Sequence, residues 1–375
     1  MSKTVLTVLT VYLGRFSPFH NGHAEVLKRA QIQADIVLVL VGSINQAPNP
    51  KNPWSYEQRA DLIKSFANKP SANNVVSKNN VHIRGIRDYP YNDQLWIANV
   101  HKVINEFITL TLNKDPSEIE IKITGADRDS STFYLKYFPT FKSDLVEENL
   151  EVSSFLTATT VREIYFGKSF NGNKITTEHA ELLLKSFLPT QTISFLRDFE
   201  STEMYDSIRE EHLFNVEYKK QFKDLPYEPI FQTVDACVIQ TGHILLIRRK
   251  SRPGKGLWAL PGGFVNANER LFDAAIRELK EETKIKVPDP ILRSSMVFKE
   301  DFDYPDRSLR GRTISKGFLF KLPDFVVDGA INLPLVKGSD DAEKARWVPI
   351  DEILKYPDRM FEDHYSIIET MLGKL

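Results

Sequence analysis

Two histidines near the start of the chain have residue types and a spacing that suit chemistry on a phosphate group. His20 and His23 close the string LGRFSPFHNGH, which follows an apolar, β-rich run and precedes a helix-patterned run (AEVLKRAQIQA). We therefore expect the histidines at a strand–turn–helix junction. The first turn of a helix offers unpaired N–H groups and a partial positive charge, and both imidazoles could donate to phosphate oxygens as negative charge builds up. Taken alone, His-x-Gly-His could also be a metal pair or chance.

A second group with chemical potential is acidic. Glu278, Glu281 and Glu282 lie in the run LFDAAIRELKEET, which predicts a helix over residues 271–283. Spacings of three and four residues place the three carboxylates on one helical face. They would repel one another unless cations occupy the site, and oxygen ligands suit Mg²⁺ or Mn²⁺, which could bridge a diphosphate and activate water. The alternative for a lone Glu-Glu pair is a solvated acidic surface.

The elements that position the histidines predict an α/β domain. Strand-like and helix-like patterns alternate from residue 1 to about residue 165. Such alternation indicates a doubly wound parallel sheet, with ligands at the carboxyl ends of its strands. After the first strand–helix unit, the predicted elements are strands over residues 35–43, 81–86 and 119–124 and helices over 56–67 and 93–108.

The acidic helix lies in a second domain of α+β type. Two β-like runs flank Thr241-Gly242, which predicts a hairpin. Between the two domains, residues 177–225 carry helical patterns, and Pro226 and Pro229 end the last of them. We therefore predict a first domain over residues 1–190, a helical connector over 191–228 and a second domain over 229–375.

The bulk composition limits the function classes. The chain has 375 residues, 42% hydrophobic and 26% charged, with a formal net charge of −1. These values are typical of a globular protein with two domains, and the balanced charge argues against a general nucleic-acid binder. The single cysteine, Cys237, excludes an intramolecular disulfide, and its apolar neighbours favour a buried thiol. Without a recognisable leader or a bilayer-spanning run, we expect no membrane association and a cytoplasmic location.

The string GRFSPFHNGH resembles the signature of the HxGH nucleotidyltransferase superfamily, and most closely the archaeal type of nicotinamide-mononucleotide adenylyltransferase. LTATTVR (residues 156–162) resembles the family's ISxTxIR motif, with Leu for Ile, Thr for Ser and Val for Ile. The resemblance implies a Rossmann-like fold in which His20, His23 and Arg162 are catalytic. It implies ATP or phosphate contacts for Gly14, Arg15, Phe16, Arg59, Gly125, Asp127, Thr157 and Thr159, and mononucleotide contacts for Asn92, Asp93 and Trp96.

Several of these residues have simpler alternatives. Thr157, Thr159 or Thr160 could be a helix N-cap. Trp96 could be an ordinary aromatic on the apolar face of a helix, and Arg59 could lie on a solvated helix face.

The acidic helix belongs to a longer string that resembles the Nudix box, GX5EX7REUXEEXGU, and that departs from it only at Lys284, where the family has glycine. A helix end at that position favours a left-handed residue, so we expect local strain or a different helix exit. The resemblance implies that Glu278, Glu281 and Glu282 bind the metal, that Glu281 and Glu282 are catalytic, and that Asp341 or Glu343 is the base. The box residues are Gly263, Glu269, Arg277, Glu278, Glu281 and Glu282, and the implied ADP-ribose contacts are Arg248, Trp258 and Arg310.

The two motifs together resemble the bifunctional nicotinamide-mononucleotide adenylyltransferase/Nudix hydrolase proteins of bacteria. This resemblance implies ATP, nicotinamide mononucleotide and ADP-ribose as ligands, with Mg²⁺ or Mn²⁺ as cofactor, and leaves homo-oligomer formation open. One alternative keeps the first fold and changes the acceptor, as in pantetheine-phosphate or glycerol-phosphate nucleotidyltransferases. Another makes the second domain a non-catalytic ADP-ribose sensor, although such regulators have eroded boxes and an added DNA-binding module.

Overall fold

The first unit is organised by a parallel sheet of five strands. The computed structural model describes residues 6–68, 80–126, 136–146, 157–324, 326–327, 330–339 and 342–375. These residues divide into two units, Met1–Glu210 and Glu211–Leu375, and the boundary falls inside one helix, Glu203–Lys220. The finer division at residues 190 and 228 stays a prediction.

The strand order of the first unit confirms the predicted doubly wound sheet. The strands pair in the order β3-β2-β1-β4-β5, and every pair is parallel. Their bounds are β1 Thr7–Gly14, β2 Ile36–Val41, β3 Val81–Gly85, β4 Ile119–Ala126 and β5 Lys142–Val146. The chain order reverses between β1 and β4, and a crevice at the carboxyl ends of such strands is where this fold binds ligands.

Helices cover both faces of this sheet and bury two apolar clusters. The predicted helix over 56–67 has the same bounds in the structure, because Ser55 caps its first turn by accepting from the Gln58 N–H. The helices are α1 Asn21–Gln33, α2 Tyr56–Ala67, α3 Asp93–Glu106, α4 Ala158–Gly167, α5 Thr177–Phe187, α6 Thr190–Glu200 and α7 Glu203–Lys220. A π-helical turn, Phe107–Thr111, follows α3, a 3-10 turn, Pro116–Glu118, precedes β4, and a short hairpin joins β6 Ser169–Phe170 to β7 Asn173–Lys174.

The second unit is built on a mixed sheet of seven strands. Five of them follow the order β10-β9-β8-β13-β12, while β11 pairs with β8 and β16 pairs with β9. The predicted hairpin is present between β8 and β9, and Thr241 and Gly242 both have positive φ, as a tight primed turn requires. The strands are β8 Phe231–Gln240, β9 His243–Arg249, β10 Trp258–Ala259, β11 Gly262–Phe264, β12 Met296–Phe302, β13 Thr313–Lys321, β14 Val326–Val327, β15 Ala330–Ile331 and β16 Ala342–Pro349.

The acidic helix of the second unit is α8 Leu271–Thr283, with the bounds predicted from the sequence. Three shorter helices follow it: α9 Asp289–Ser294, α10 Ile350–Lys355 and α11 His364–Leu372. Lys284 ends α8 in a left-handed conformation (φ 47°, ψ 30°). The helix therefore exits as it would with glycine, and the lysine carries a backbone strain of roughly 1–2 kcal/mol. Within the described ranges, none of the helices has the length and apolar character to cross a bilayer.

Candidate active sites

The two histidines lie where α1 begins, directly after the carboxyl end of β1. His20 is the N-cap residue, with an extended backbone, and its N–H donates to Nδ1 of His23 at 3.3 Å. The two rings stack with centroids 3.7 Å apart. Because Nδ1 of His23 accepts a hydrogen bond, the proton of the neutral ring lies on Nε2.

The turn that carries the histidines is shaped by Gly14 and Phe16. Phe16 has a positive φ of 51°, and its buried ring packs edge-on against Tyr12 and His23. A Cβ at Gly14 would lie 2.9 Å from Cζ of Phe16, so only glycine leaves room for this ring. The Phe16 ring therefore supports the His23 ring, and Gly14 leaves the space that the Phe16 ring needs. Contacts of Gly14 and Phe16 with ATP stay predictions.

Arg162 joins the Thr-rich motif to the histidine loop. Thr157 caps α4 by accepting from the Thr160 N–H at 3.0 Å, as one of the predicted alternatives had it. The buried Arg162 side chain donates to the carbonyl oxygen of Ser17 and, at 3.1 Å, to Oγ1 of Thr159. Burial and the nearby charge of Arg15 lower the pKa of Arg162 to about 9, which leaves the guanidinium charged at neutral pH.

Arg59 is buried and does not lie on a solvated helix face. Its guanidinium donates to the carbonyl oxygens of Arg15 and Gly42, both at 2.8 Å, and to that of Ser43 at 3.3 Å. Burial lowers its pKa to about 10, and the opposing charge of Asp88 limits the shift. These contacts fix the loops after β1 and β2 to each other. A phosphate contact by Arg59 stays a prediction.

Asp88 is a site residue that the sequence analysis missed. Its Oδ2 accepts from Nε2 of Gln46 at 2.9 Å, and its N–H donates to Oδ1 of Asn45 at 3.0 Å. Burial raises its pKa, while the positive charges of Arg15 and Arg59 act in the opposite direction. It follows β3 at the ligand-binding edge of the sheet, and its position two residues beyond the predicted strand was the signal that could have found it.

The residues predicted to bind the mononucleotide lie together at the start of α3. Asn92 caps the helix by accepting from the Leu95 N–H at 3.0 Å, and Oδ2 of Asp93 accepts from the Tyr137 hydroxyl at 3.1 Å. The ring of Trp96 lies 6.5 Å from that of Tyr137 at 66°. The structure thus gives Asn92 and Asp93 local roles and groups Trp96 with a second aromatic ring.

Of four further predicted residues, the structure describes two, Gly125 and Glu343. Gly125 lies in β4, opposite Leu145 of β5. Asp127 and Asp341 lie outside the described residues. Glu343, the other candidate base, is exposed, and its Oε2 lies 3.8 Å from Nε of Arg248.

In the second unit, Arg277 connects the acidic residues of the Nudix-like string. Its Nε and Nη2 form a fork with Glu269 at 3.0 and 2.6 Å. Its Nη1 donates to Glu278 at 2.8 Å and to Glu281 at 2.9 Å. The hydrogen bonds from Arg277 lower the pKa of Glu269 to about 2, whereas burial raises that of Glu278. Arg277 therefore orients the carboxylates of α8.

Glu282 is held separately, by the glycine strand β11. Its Oε2 accepts from the Gly262 N–H at 2.9 Å, and its side chain is buried. A Cβ at Gly263 would lie 2.5 Å from Oε1 of Glu278, so β11 passes directly over the acidic face of α8. Glycine is needed here because of this close approach.

The three glutamates share a helix face but not one cation position in this structure. Among the residues the structure describes, no group of three or more His, Cys, Asp or Glu side chains is arranged to hold a metal ion. Glu278 and Glu281 meet on the Arg277 guanidinium, and Glu282 is held apart from them by the Gly262 N–H. The donor set nevertheless fits a hard divalent cation, because it consists of carboxylates that already bind one positive charge. The metal assignment stays a prediction.

The predicted ADP-ribose residues fall into two places. Arg248 and Trp258 are opposite each other in the β9–β10 pair, and the Arg346 guanidinium lies 5.0 Å from the Trp258 ring. Arg310 lies elsewhere, with its guanidinium 5.4 Å from the Phe264 ring and Nη2 3.9 Å from Glu362. The structure thus pairs Arg248 with Trp258 and places Arg310 beside β11.

Comparisons with known proteins match each of the two units separately. A cytidylyltransferase-like family model matches residues 11–131, and a NUDIX domain model matches residues 230–371. The nicotinamide/nicotinic acid mononucleotide adenylyltransferase of Acinetobacter baylyi is 31% identical over 54% of this chain and 92% of its own length. The ADP-ribose pyrophosphatase of Methanocaldococcus jannaschii is 34% identical over 37% of this chain and 71% of its own length.

Solved structures also include a protein that resembles nearly the whole chain. It is a bifunctional NMN adenylyltransferase/ADP ribose pyrophosphatase from Francisella tularensis, complexed with AMP and a manganese ion, with a TM-score of 0.83 and 33% identity. The match covers 98% of this chain and 99% of that one. With both motifs in place and both units matched, this chain belongs to the family of bifunctional nicotinamide-mononucleotide adenylyltransferase/ADP-ribose pyrophosphatases.

Proposed function

We propose that this chain catalyses two reactions of NAD metabolism. The first unit transfers the adenylyl group of ATP to nicotinamide mononucleotide, which gives NAD⁺ and pyrophosphate. The second unit hydrolyses ADP-ribose to AMP and ribose 5-phosphate with Mg²⁺ or Mn²⁺. The observation that supports the proposal is that each unit holds its own cluster of charged or titratable groups. In one unit the histidine loop is bonded to Arg162, and in the other the carboxylates linked by Arg277 lie beside β11.

Adenylyl transfer needs no protein nucleophile. A phosphate oxygen of the mononucleotide bonds to the α-phosphorus of ATP, and the bond from that phosphorus to the departing pyrophosphate breaks. Catalysis then depends on alignment and on stabilising the charge that develops on the phosphoryl oxygens. His23, through its Nε2 proton, and the charged Arg162 are suited to that task, and the exposed Arg15 lies at the same edge.

Hydrolysis of ADP-ribose adds water across the diphosphate. Glu278, Glu281 and Glu282 would hold the divalent cation, which neutralises the diphosphate and makes bound water more acidic. Arg277 orients two of these carboxylates, and the Gly262 N–H orients the third. We assign the general base to Asp341 or to Glu343, the second of which lies in β16.

The proposal is tested by steady-state kinetics on the purified full chain. Adenylyl transfer from ATP, followed as pyrophosphate release, is compared for nicotinamide mononucleotide, nicotinic-acid mononucleotide and 4′-phosphopantetheine. AMP release from ADP-ribose is measured with Mg²⁺ and with Mn²⁺. We expect at least one of the two pyridine mononucleotides to be a better acceptor than 4′-phosphopantetheine. We also expect ADP-ribose to be cleaved with at least one of the two metals. Preference for phosphopantetheine would refute the first assignment, and no AMP release with either metal would refute the second.

A further inference from the structure

A group of four charged or titratable side chains is buried next to β11 and has no role in the proposed hydrolysis. It consists of Asp235 on β8, Arg307, Asp363 and His364, and we call it the buried support. Asp235, Arg307 and His364 are 5%, 6% and 5% exposed, and the Asp363 side chain is 8% exposed. Burial of these groups contributes little net stability, because their desolvation offsets most of the energy of pairing.

Arg307 links the two carboxylates of the buried support. Its Nε and Nη2 form a fork with Asp363, both at 2.9 Å, and Nη2 lies 3.8 Å from Oδ2 of Asp235. The Ser315 hydroxyl donates to the same oxygen of Asp235. A forked arginine–carboxylate pair restricts orientation as well as distance, so these contacts hold the start of α11 against β8.

His364 connects the buried support to the backbone that leads into β11. Its Nδ1 accepts from the Leu260 N–H at 3.0 Å. The proton of the neutral ring therefore lies on Nε2, which is 3.8 Å from Oδ1 of Asp235. One imidazole thus spans the distance between the backbone just before the glycine strand and the carboxylate on β8.

The same strand contacts the acidic helix. Gly262 lies opposite Asp235 in the β8–β11 pair, and a Cβ there would be 2.6 Å from Oδ1 of Asp235. The Gly262 N–H donates to Glu282, and Gly263 lies against Glu278. Gly262 and Gly263, which have no side chains, therefore lie between the buried support and two of the predicted metal ligands.

We propose that Asp235, Arg307, Asp363 and His364 act as a positioning unit that fixes β11 and, through it, the places of Glu278 and Glu282. These residues do not touch the cation or the substrate. If Leu260 shifts, the Gly262 N–H that bonds to Glu282 shifts with it. The backbone of Gly263, which packs against the Glu278 carboxylate, shifts as well. The inference deepens the proposed function of the second unit and rests on it for the identity of the metal ligands.

The test replaces His364 in the full chain and measures Mn²⁺ affinity without substrate, by electron paramagnetic resonance of the free ion. Asparagine can place its amide oxygen near the position of Nδ1, whereas glutamine reaches toward that of Nε2. We expect His364→Asn to keep most of the affinity, and His364→Gln and His364→Leu to weaken it about 10- to 100-fold, the usual effect of removing a residue that orients metal ligands. Binding that survives in Glu282→Gln is subtracted as unrelated to this site.

His243→Leu is the matched control, because this histidine lies in the same unit and its Nδ1 contacts the hairpin carbonyl of Thr241. Wild-type affinity in His364→Gln and His364→Leu would overturn the inference, as would an equal loss in His364→Asn and His364→Leu. If His364→Leu does not fold, the Asn/Gln pair decides alone. If the variants show the expected pattern but the wild-type chain does not cleave ADP-ribose, the proposed substrate is refuted and the inference stands. If the wild-type chain binds no Mn²⁺, both are refuted.

Discussion

Arg162 illustrates how one side chain can join two motifs that are far apart in the sequence. Its guanidinium reaches Ser17 in the histidine loop and Thr159 in its own helix, and it keeps its charge despite burial. A lysine would keep a positive charge but could not bridge both oxygens with a planar fork. We therefore predict that Arg162→Lys lowers kcat/KM for NAD⁺ formation by about 10²- to 10³-fold, the cost of one lost transition-state donor.

The same protein provides the check on folding, since ADP-ribose hydrolysis by Arg162→Lys should equal that of the wild type. Arg197→Lys, on an exposed position of α6, is the matched control and should change neither activity. An Arg162→Lys enzyme with wild-type NAD⁺ formation would show that the guanidinium has no role in the reaction.

Arg277 is the linking arginine of the second unit, as Arg162 is of the first, because it donates hydrogen bonds to three carboxylates. Lysine has no fork for Glu269 and cannot hold Glu278 and Glu281 in the same geometry. We predict that Arg277→Lys reduces ADP-ribose hydrolysis about 10- to 100-fold and weakens metal binding, with NAD⁺ formation unchanged. Steady-state kinetics at several Mn²⁺ concentrations measure both effects.

Arg293→Lys is the control for this substitution, since Arg293 pairs with one carboxylate, Asp273, at the surface of the same unit. Faster hydrolysis in Arg277→Lys would mean that the arginine competes with the cation for the glutamates, and our view of it as an orienting residue would be wrong.

At the scale of elements, the end of α8 stores strain that glycine would relieve. Lys284 has φ 47°, a conformation that costs a residue with a side chain roughly 1–2 kcal/mol relative to glycine. We predict that Lys284→Gly raises the free energy of unfolding of the second unit by about this amount, partly offset by the greater freedom of glycine in the unfolded chain. Urea denaturation, followed through the loss of ADP-ribose hydrolysis, measures the change.

Lys286→Gly serves for comparison, because Lys286 is not among the positive-φ residues and glycine there brings no relief. Hydrolysis by Lys284→Gly should stay close to wild type. A large gain in kcat would show instead that the lysine impairs the acidic site.

The elements that the sequence predicted well are those with local signals. Helices α2 and α8 have their predicted bounds, because apolar periodicity and a capping residue or a defined motif specify them within the segment itself. Strand β5 was missed, since its sequence KSDLV has no apolar run and it forms by pairing with β4. Local patterns do not contain such long-range pairing.

The same distinction applies to the sites. The histidine string and the glutamate spacing are local patterns, and both predicted the neighbourhoods that the structure shows. The contacts of Arg59 with Arg15, of Asp88 with Gln46 and of His364 with Leu260 join residues at least 42 positions apart. A single sequence gives no signal for such contacts, so the interpretation of Arg59 as a solvated residue could not be excluded beforehand.

At the scale of the whole molecule, each unit contains its own candidate site, so the two activities should be separable. His23→Ala removes the Nε2 donor of the first unit. Glu282→Gln keeps an acceptor for the Gly262 N–H but loses the charge that a cation needs. We predict that each substitution lowers its own activity at least about 100-fold and leaves the other at the wild-type rate. His179→Ala, at an exposed position of α5, is the control.

Mixing the two variants gives the sharper test of independence. An equimolar mixture of His23→Ala and Glu282→Gln chains should show both activities, each at half the wild-type rate per total chain, because neither site borrows a residue from the other. The double variant should show neither activity at any concentration. If either single substitution silences both reactions in a folded chain, or if the mixture falls well below half, then the sites depend on each other and the model of two self-sufficient units is wrong.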